Sequence, residues 1–104
     1  MSSSEVNFRE RVETLMAQVP EGCVTTYGDL AALAGQPVAA RVVGGIAHHG
    51  DPSLPWHRLV NRTGKLALGY HGGRAEQAAR LAAEGVACDD TFTVRDFEER
   101  RWRP

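Results

Sequence analysis

The sequence predicts a mostly α-helical domain with a small β element. Apolar residues recur at helical spacing in a first segment, and two shorter helical segments follow it. A fourth segment, RAEQAARLAAEG, is rich in strong helix formers, and its last residue, Gly85, is expected to be the C-cap of a helix. Because 104 residues suit one modest core, we expect residues 1–104 to form a single domain.

The first two helices begin at capping boxes, in which a small polar residue is followed three positions later by an acidic one. These are Asn7 with Glu10 and Thr26 with Asp29. The first helix is predicted over about residues 8–18, before Pro20. The second helix, YGDLAALA, is ended by Gly35.

A third helix, VAARVVGGIAHH, follows the turn Gly35-Gln36-Pro37, and together with the second helix it forms a helix-turn-helix pattern. Its apolar face is expected to be buried and consists of Val38, Val42, Val43 and Ile46. The opposite face carries Arg41, Gly44, Gly45 and His48. Two glycines inside a helix each cost about 1 kcal/mol relative to alanine. Close approach of another backbone, such as that of DNA, and tight helix packing both explain that cost.

The segments WHRLV and KLAL have strand character, and the turn NRTG joins them. This pattern predicts a small hairpin, or wing, so the whole is a winged helix-turn-helix domain. The tail after residue 90 is predicted to form a strand and a short helical end. Trp102 is expected to be a packing residue there.

Charge is unevenly distributed along the chain. Residues 40–83 carry six basic and two acidic side chains, whereas the segments on either side are net acidic. The basic middle is either a polyanion-binding surface or a chance cluster of surface charges. No apolar run approaches the roughly 20 residues that span a membrane. The N-terminal segment lacks the pattern of a secretory signal, so we expect a cytoplasmic protein, associated with the nucleoid if bacterial.

The stretch LPWHRLVNR places His57 directly after Trp56. A histidine can activate a neighbouring nucleophile, but an indole does not ionise near neutral pH and offers only an N–H donor. Cys23 and Cys88 are the two thiols, and both are expected to be reduced and unreactive. The stretch therefore has the form of an active site without a nucleophile.

Five motifs, in order, carry a resemblance to a known family: TTYGDLAALAG, AARVVGG, PWHRLV, GYHGG and LAAEGV. They resemble the DNA-binding and active-site domain of O6-alkylguanine-DNA alkyltransferases over about residues 7–87. In those enzymes the central motif is Pro-Cys-His-Arg-Val, and the cysteine accepts the alkyl group. Trp56 stands at the cysteine position, which is typical of the alkyltransferase-like proteins.

The resemblance implies a DNA damage sensor that is not an enzyme. Such a protein binds O6-alkylguanine in duplex DNA through the minor groove, flips the damaged nucleotide and signals to nucleotide excision repair without dealkylation. A monomer with no cofactor, no metal and no membrane contact is expected. A winged-helix regulator that reads sequence and an alkyltransferase with a non-standard nucleophile are the alternatives.

The same resemblance assigns site residues. The expected DNA contacts are Thr26, Tyr27, Ala40, Arg41, Gly44 and Gly45, with Arg41 filling the gap left by the flipped base. The expected lesion pocket comprises Tyr27, Pro55, Trp56, Val60, Tyr70 and His71. A network inherited from the enzymes comprises Asp51, His57, Arg58 and Glu84. Some relatives carry an arginine in the loop of Tyr70 that contacts the base. Here the residue before Tyr70 is Gly69, and Arg62 and Arg74 are the candidates for that role.

Overall fold

The computed structural model describes residues 3–104, with side chains from residue 7 onward. The chain forms five α-helices, one 3-10 turn and two short strands within that range. In order they are α1 (Ser3–Gln18), β1 (Thr25–Thr26), α2 (Tyr27–Leu33), α3 (Ala40–His49), the 3-10 turn (Trp56–Arg58), β2 (Leu59–Val60), α4 (Gly73–Ala83) and α5 (Phe97–Arg100). The predicted fold class, mostly helical with a small β element, is confirmed.

The first core cluster lies between α1, α2 and α3. Its fully or nearly fully buried side chains include Phe8, Val12, Met16, Val19, Leu30 and Val43. The four residues from α1 and its C-terminal end recur at helical spacing, as the sequence predicted. The predicted start of α1 at Asn7 is wrong, because the helix already begins at Ser3.

The start of α2 is fixed by the predicted cap. The Thr26 hydroxyl accepts a hydrogen bond from the Asp29 amide at 3.0 Å. The Asp29 carboxylate accepts two bonds from Arg101, at 2.7 and 2.8 Å, and these bonds lower the pKa of Asp29. Gly35 follows the helix with φ of +94°, a conformation that favours glycine.

The predicted buried face of α3 is only half correct. Val43 and Ile46 are buried, whereas Val38 is 97% exposed and Val42 is 53% exposed. Val38 lies in the turn before α3, because the helix begins only at Ala40. Val42 points about 100° away from Val43 around the helix. An apolar residue is therefore exposed next to Arg41.

The β element differs from the predicted hairpin. β2 pairs in parallel with β1, with Thr25 opposite Leu59 and Thr26 opposite Val60. The turn NRTG does form, since the Asn61 side chain accepts bonds from the amides of Thr63 and Lys65, each at 3.0 Å. After the turn, however, Lys65 pairs with Thr93 of the tail. The prediction of a hairpin between WHRLV and KLAL is therefore wrong.

A second core cluster lies beneath α4 and the tail, formed by Val24, Val60, Leu66, Leu81, Val86 and Val94. The tail returns to the centre of the molecule, where the Trp102 amide donates to the Val24 carbonyl at 2.7 Å. Trp102 packs against the first cluster, so its predicted packing role is confirmed. Among residues 3–104 there is no helix both long and apolar enough to cross a membrane.

Candidate nucleic-acid interface

A cavity of about 320 Å³ opens between α3, the 3-10 turn, the loop after residue 66 and α4. Four of the six predicted pocket residues line it: Tyr27, Trp56, Tyr70 and His71. Pro55 and Val60 do not, and Val60 is fully buried in the second core cluster. Leu54 and Leu59, each one position away, line the cavity instead. The strand alternation of β2 thus directs Leu59 to the cavity side and Val60 to the opposite side.

The indole of Trp56 is fixed in place by its neighbours. Its Nε1 donates to the Asp51 carbonyl oxygen at 2.8 Å. A Cβ placed on Gly50 would lie 2.8 Å from the indole ring, so only glycine allows this close approach. The Asp51 carboxylate accepts a bond from the Ser53 amide at 2.9 Å, which lowers the pKa of Asp51 and braces the loop.

Next to the cavity, the Glu84 carboxylate joins His57 and Arg58. His57 Nε2 lies 2.8 Å from Glu84 Oε2, and Arg58 Nε and Nη2 donate to the carboxylate at 2.9 and 2.7 Å. Arg58 Nη1 also donates to the Val19 carbonyl at 2.7 Å, which ties the network to the end of α1. The hydrogen bonds from Arg58, reinforced by His57, lower the pKa of Glu84 to about 2. Three of the four predicted network residues are thus in contact, whereas the Asp51 carboxylate accepts its hydrogen bond from Ser53 within its own loop.

Gln77 is a buried member of this region that the sequence analysis missed. Its side-chain amide donates to the carbonyls of His57 and Leu59, at 3.1 and 3.0 Å. It therefore fixes the backbone on both sides of Arg58 and lines the cavity floor. Its spacing to Leu81 and Glu84 places all three on one face of α4, and that spacing was the available signal.

Neither cysteine lines the cavity. Cys23 is half-buried against the first core cluster, and Cys88 is half-buried against the second. Burial and the nearby Asp89 raise the pKa of Cys88, which makes its thiol less reactive. Within the described residues, the cavity lining therefore includes His57, whose partner Glu84 lies behind it, and no thiol.

The exposed face of α3 carries Arg41, Val42 and Gly45. A Cβ on Gly44 would meet the Tyr27 ring only at 3.9 Å, and one on Gly45 would meet nothing within 4 Å. Packing inside the protein therefore does not require either glycine. Both positions are therefore sterically open on the outer side of the helix. Of the other predicted contacts, Thr26 is buried as the α2 cap and Ala40 is half-buried.

The two arginines suggested as base contacts lie elsewhere. Arg62 and Arg74 are not among the cavity-lining residues, and the Arg74 guanidinium lies 6.0 Å from the Phe92 ring centre. Arg80 of α4 lines the cavity instead, and its Nε donates to Glu76 Oε1 at 3.1 Å. An Arg four residues after a Glu is typical of a solvated helix pair, so no local pattern predicted that Arg80 lines the cavity.

Comparison with known proteins agrees with the geometry. Residues 7–86 match the family described as 6-O-methylguanine DNA methyltransferase, DNA binding domain. The DNA base-flipping protein of Escherichia coli K12 is 46% identical over 94% of this chain and 76% of its own length. Alkyltransferase-like protein 1 of Schizosaccharomyces pombe is 33% identical over 93% of this chain and 95% of its own length. The chain belongs to the alkyltransferase-like proteins of this family.

Two solved structures place this alkyltransferase-like protein among its relatives. S. pombe Atl1, in complex with damaged DNA containing O6-carboxymethylguanine, has a TM-score of 0.82 at 32% identity, and each chain is covered completely. The Mycobacterium tuberculosis OGT in complex with DNA has a TM-score of 0.70 at 34% identity. Only 49% of that chain is covered, so the alkyltransferase-like protein spans about half of it.

Proposed function

We propose that this alkyltransferase-like protein recognises O6-alkylguanine in duplex DNA. It flips the damaged nucleotide into the cavity and holds it there without removing the alkyl group. The observation that carries the proposal is the cavity itself, which is lined by a hydrogen-bonded indole at the position that the motif resemblance assigns to the alkyl-accepting cysteine. The names of its relatives, a DNA base-flipping protein and an alkyltransferase-like protein, agree with it.

The proposed contact with DNA is made by the exposed face of α3. Arg41 is exposed in the first turn of α3, where its planar guanidinium can stack on bases and bond to the partner left unpaired. Gly44 and Gly45 allow the DNA backbone to approach the helix. The Tyr27 ring lies beside Gly44, and Tyr27 also lines the cavity, so it lies between the two proposed sites. Extruding a base costs a few kcal/mol, and least for a weakly paired lesion, which favours alkylated guanine.

The cavity has the size and lining expected for one base. Its volume of about 320 Å³ lies within the range of small-molecule sites. Trp56 and Tyr70 present aromatic surface to it. Stacking of a base on an aromatic side chain contributes roughly 1–3 kcal/mol, and an apolar alkyl group adds contact area.

Transfer of the alkyl group to residue 56 is excluded by its chemistry. Dealkylation requires a thiolate that attacks the alkyl carbon, and an indole N–H is not such a nucleophile. The Trp56 N–H is already donated to Asp51. His57 and Glu84 bond to each other, and no described cysteine lines the cavity for them to activate, so their proposed role is to hold the cavity wall.

A sensor that leaves the lesion in place requires other proteins to remove it. We therefore propose that the bound complex recruits nucleotide excision repair, and that the protein acts as a monomer in the cytoplasm or on the nucleoid. The net-acidic segments outside residues 40–83 are the candidate partner surface by charge.

A binding titration tests the proposed function. One duplex carries a single O6-methylguanine and a second of the same sequence carries guanine, and both are measured at the same stated salt concentration. We expect tighter binding of the damaged duplex, and equal affinity for both would refute the proposal. Intact-protein mass spectrometry after the same incubation separates the alternatives, because an added methyl mass would indicate an alkyltransferase. A selection from random undamaged sequences that gave a consensus would indicate a regulator.

A further inference from the structure

The cavity has an unusual charge balance. Of the described residues that line it, none is acidic, and three are histidines: His48, His57 and His71. Arg80 is the one lining residue with a full positive charge at neutral pH. The nearby Glu84 carboxylate is neutralised by Arg58 and does not line the cavity. An anion entering the cavity would therefore meet a cation and no opposing carboxylate in its wall.

Arg80 forms an ion pair with Glu76 that a ligand carboxylate can replace. Its partner Glu76 is one helical turn away, and the two side chains are 58% and 49% exposed. Exposed pairs of this kind contribute little to stability. The bond to Glu76 uses Nε, so the guanidinium has further N–H donors for a second acceptor. A carboxylate on a ligand in the cavity can therefore be bound without large cost.

We propose that Arg80 gives this protein a preference for O6-alkyl groups that carry a negative charge, such as carboxymethyl, over neutral groups of the same size. The inference rests on the proposed function, because it requires the flipped base to enter the cavity. Arg80 binds the adduct carboxylate through its terminal amino groups, which is the geometry that makes arginine–carboxylate pairs strong. His71, at the same mouth, is fixed by its Nε2 contact with the His48 carbonyl at 3.0 Å.

The test compares two adducts of nearly the same size and shape, of which one is anionic and the other neutral. Duplexes of one sequence carry O6-carboxymethylguanine, its neutral carboxamide analogue O6-carbamoylmethylguanine, O6-methylguanine or guanine. The readout is the dissociation constant of the carbamoylmethyl duplex divided by that of the carboxymethyl duplex, both measured at one low salt concentration. For the unaltered protein we expect the acid to be favoured about three- to tenfold, the range of a partly exposed charged hydrogen bond.

Two variants move this ratio in opposite directions. Arg80→Gln is expected to bring the ratio to about one, by weakening binding of the carboxymethyl duplex more than binding of the O6-methylguanine duplex. Glu76→Gln leaves Arg80 without its competing carboxylate, so the ratio is expected to rise about twofold. Arg62→Gln is the matched control, because it removes one exposed positive charge outside the cavity lining. Its ratio is expected to equal that of the unaltered protein.

The outcomes separate this inference from the proposed function. If Arg80→Gln weakens all damaged duplexes equally, Arg80 contacts a phosphate and the inference is overturned. An unchanged ratio in Arg80→Gln would also overturn it, provided that thermal unfolding shows the variant folded. In both cases a preference of the unaltered protein for O6-methylguanine over guanine leaves the proposed function standing. If the unaltered protein does not prefer O6-methylguanine over guanine, both this inference and the proposed function are refuted.

Discussion

Replacing Glu84 by glutamine is expected to destabilise the protein strongly at neutral pH. The carboxylate receives two hydrogen bonds from Arg58 and contacts His57, and its side chain is only 12% exposed. These contacts lower the pKa of Glu84 from 4.5 to about 2. A carboxyl with that difference between unfolded and folded states contributes roughly 3 kcal/mol. Native proteins are stable by only about 5–15 kcal/mol, so the loss is large.

The sign of the pH dependence follows from the same pKa. Because folding lowers the pKa, the contribution of Glu84 is complete above 4.5 and is lost as the pH falls towards 2. The Glu84→Gln variant lacks a titrating group at this position. The difference in unfolding free energy between the two proteins is therefore expected to shrink from about 3 kcal/mol towards zero over that pH range.

Urea unfolding at a series of pH values, followed by tryptophan fluorescence, measures this difference. Glu76→Gln is the control, because Glu76 also pairs with an arginine but is 49% exposed. Its effect is expected to stay below about 1 kcal/mol at every pH. The reasoning is refuted if Glu84→Gln is as stable as the unaltered protein at neutral pH. It is also refuted if the difference between them does not change down to about pH 2.

Three further substitutions test the proposed interface. Arg41→Ala is expected to leave the melting temperature unchanged and to weaken binding of the damaged duplex at least about tenfold; unchanged lesion affinity in a titration would contradict flipping. Gly45→Ala adds a methyl group that meets no protein atom within 4 Å, so we expect a melting temperature that is equal or higher, because alanine favours a helix, but weaker binding of damaged and plain duplex alike. Trp56→Cys introduces a thiol beside His57 but loses the indole contacts. Mass spectrometry is therefore expected to show that this variant accepts a methyl group far more slowly than a true methyltransferase does. A comparable rate would contradict this expectation and would show that only the thiol was missing.

Local sequence signals predicted the features that depend on few residues. The Thr26 cap and the Gly35 stop need only their neighbours, and both occur as predicted. The pairing of β2 did not follow from local signals, because its partner Thr25–Thr26 lies more than thirty residues earlier in the chain. Alternation within WHRLV is equally compatible with a hairpin and with a parallel neighbour.

In the candidate site, too, some residues were predicted correctly and others depended on contacts between distant parts of the chain. The motif resemblance predicted that Trp56, Tyr70 and His71 share one cavity, and all three line it. This was possible because chains with the same motifs in the same order have the same residues as neighbours in the fold. It placed Val60 there as well, although the pleat of β2 directs that side chain into the core. Arg80 and Gln77 were missed because polar residues on a helix usually face water. Only the docking of α4 against the 3-10 turn turns both of them towards the cavity.

The immobilised indole of Trp56 has a consequence for how damage is reported. Its one donor is satisfied by the Asp51 carbonyl, and its ring packs so close to Gly50 that a side chain there would clash with it. A protein that accepts an alkyl group is consumed once for each lesion, so its supply limits how many lesions are answered. A protein that only holds the base is released unchanged, and its signal is the time for which it remains bound. Under this proposal, the dissociation rate at each lesion, rather than a rate of chemistry, determines how long other proteins have to respond.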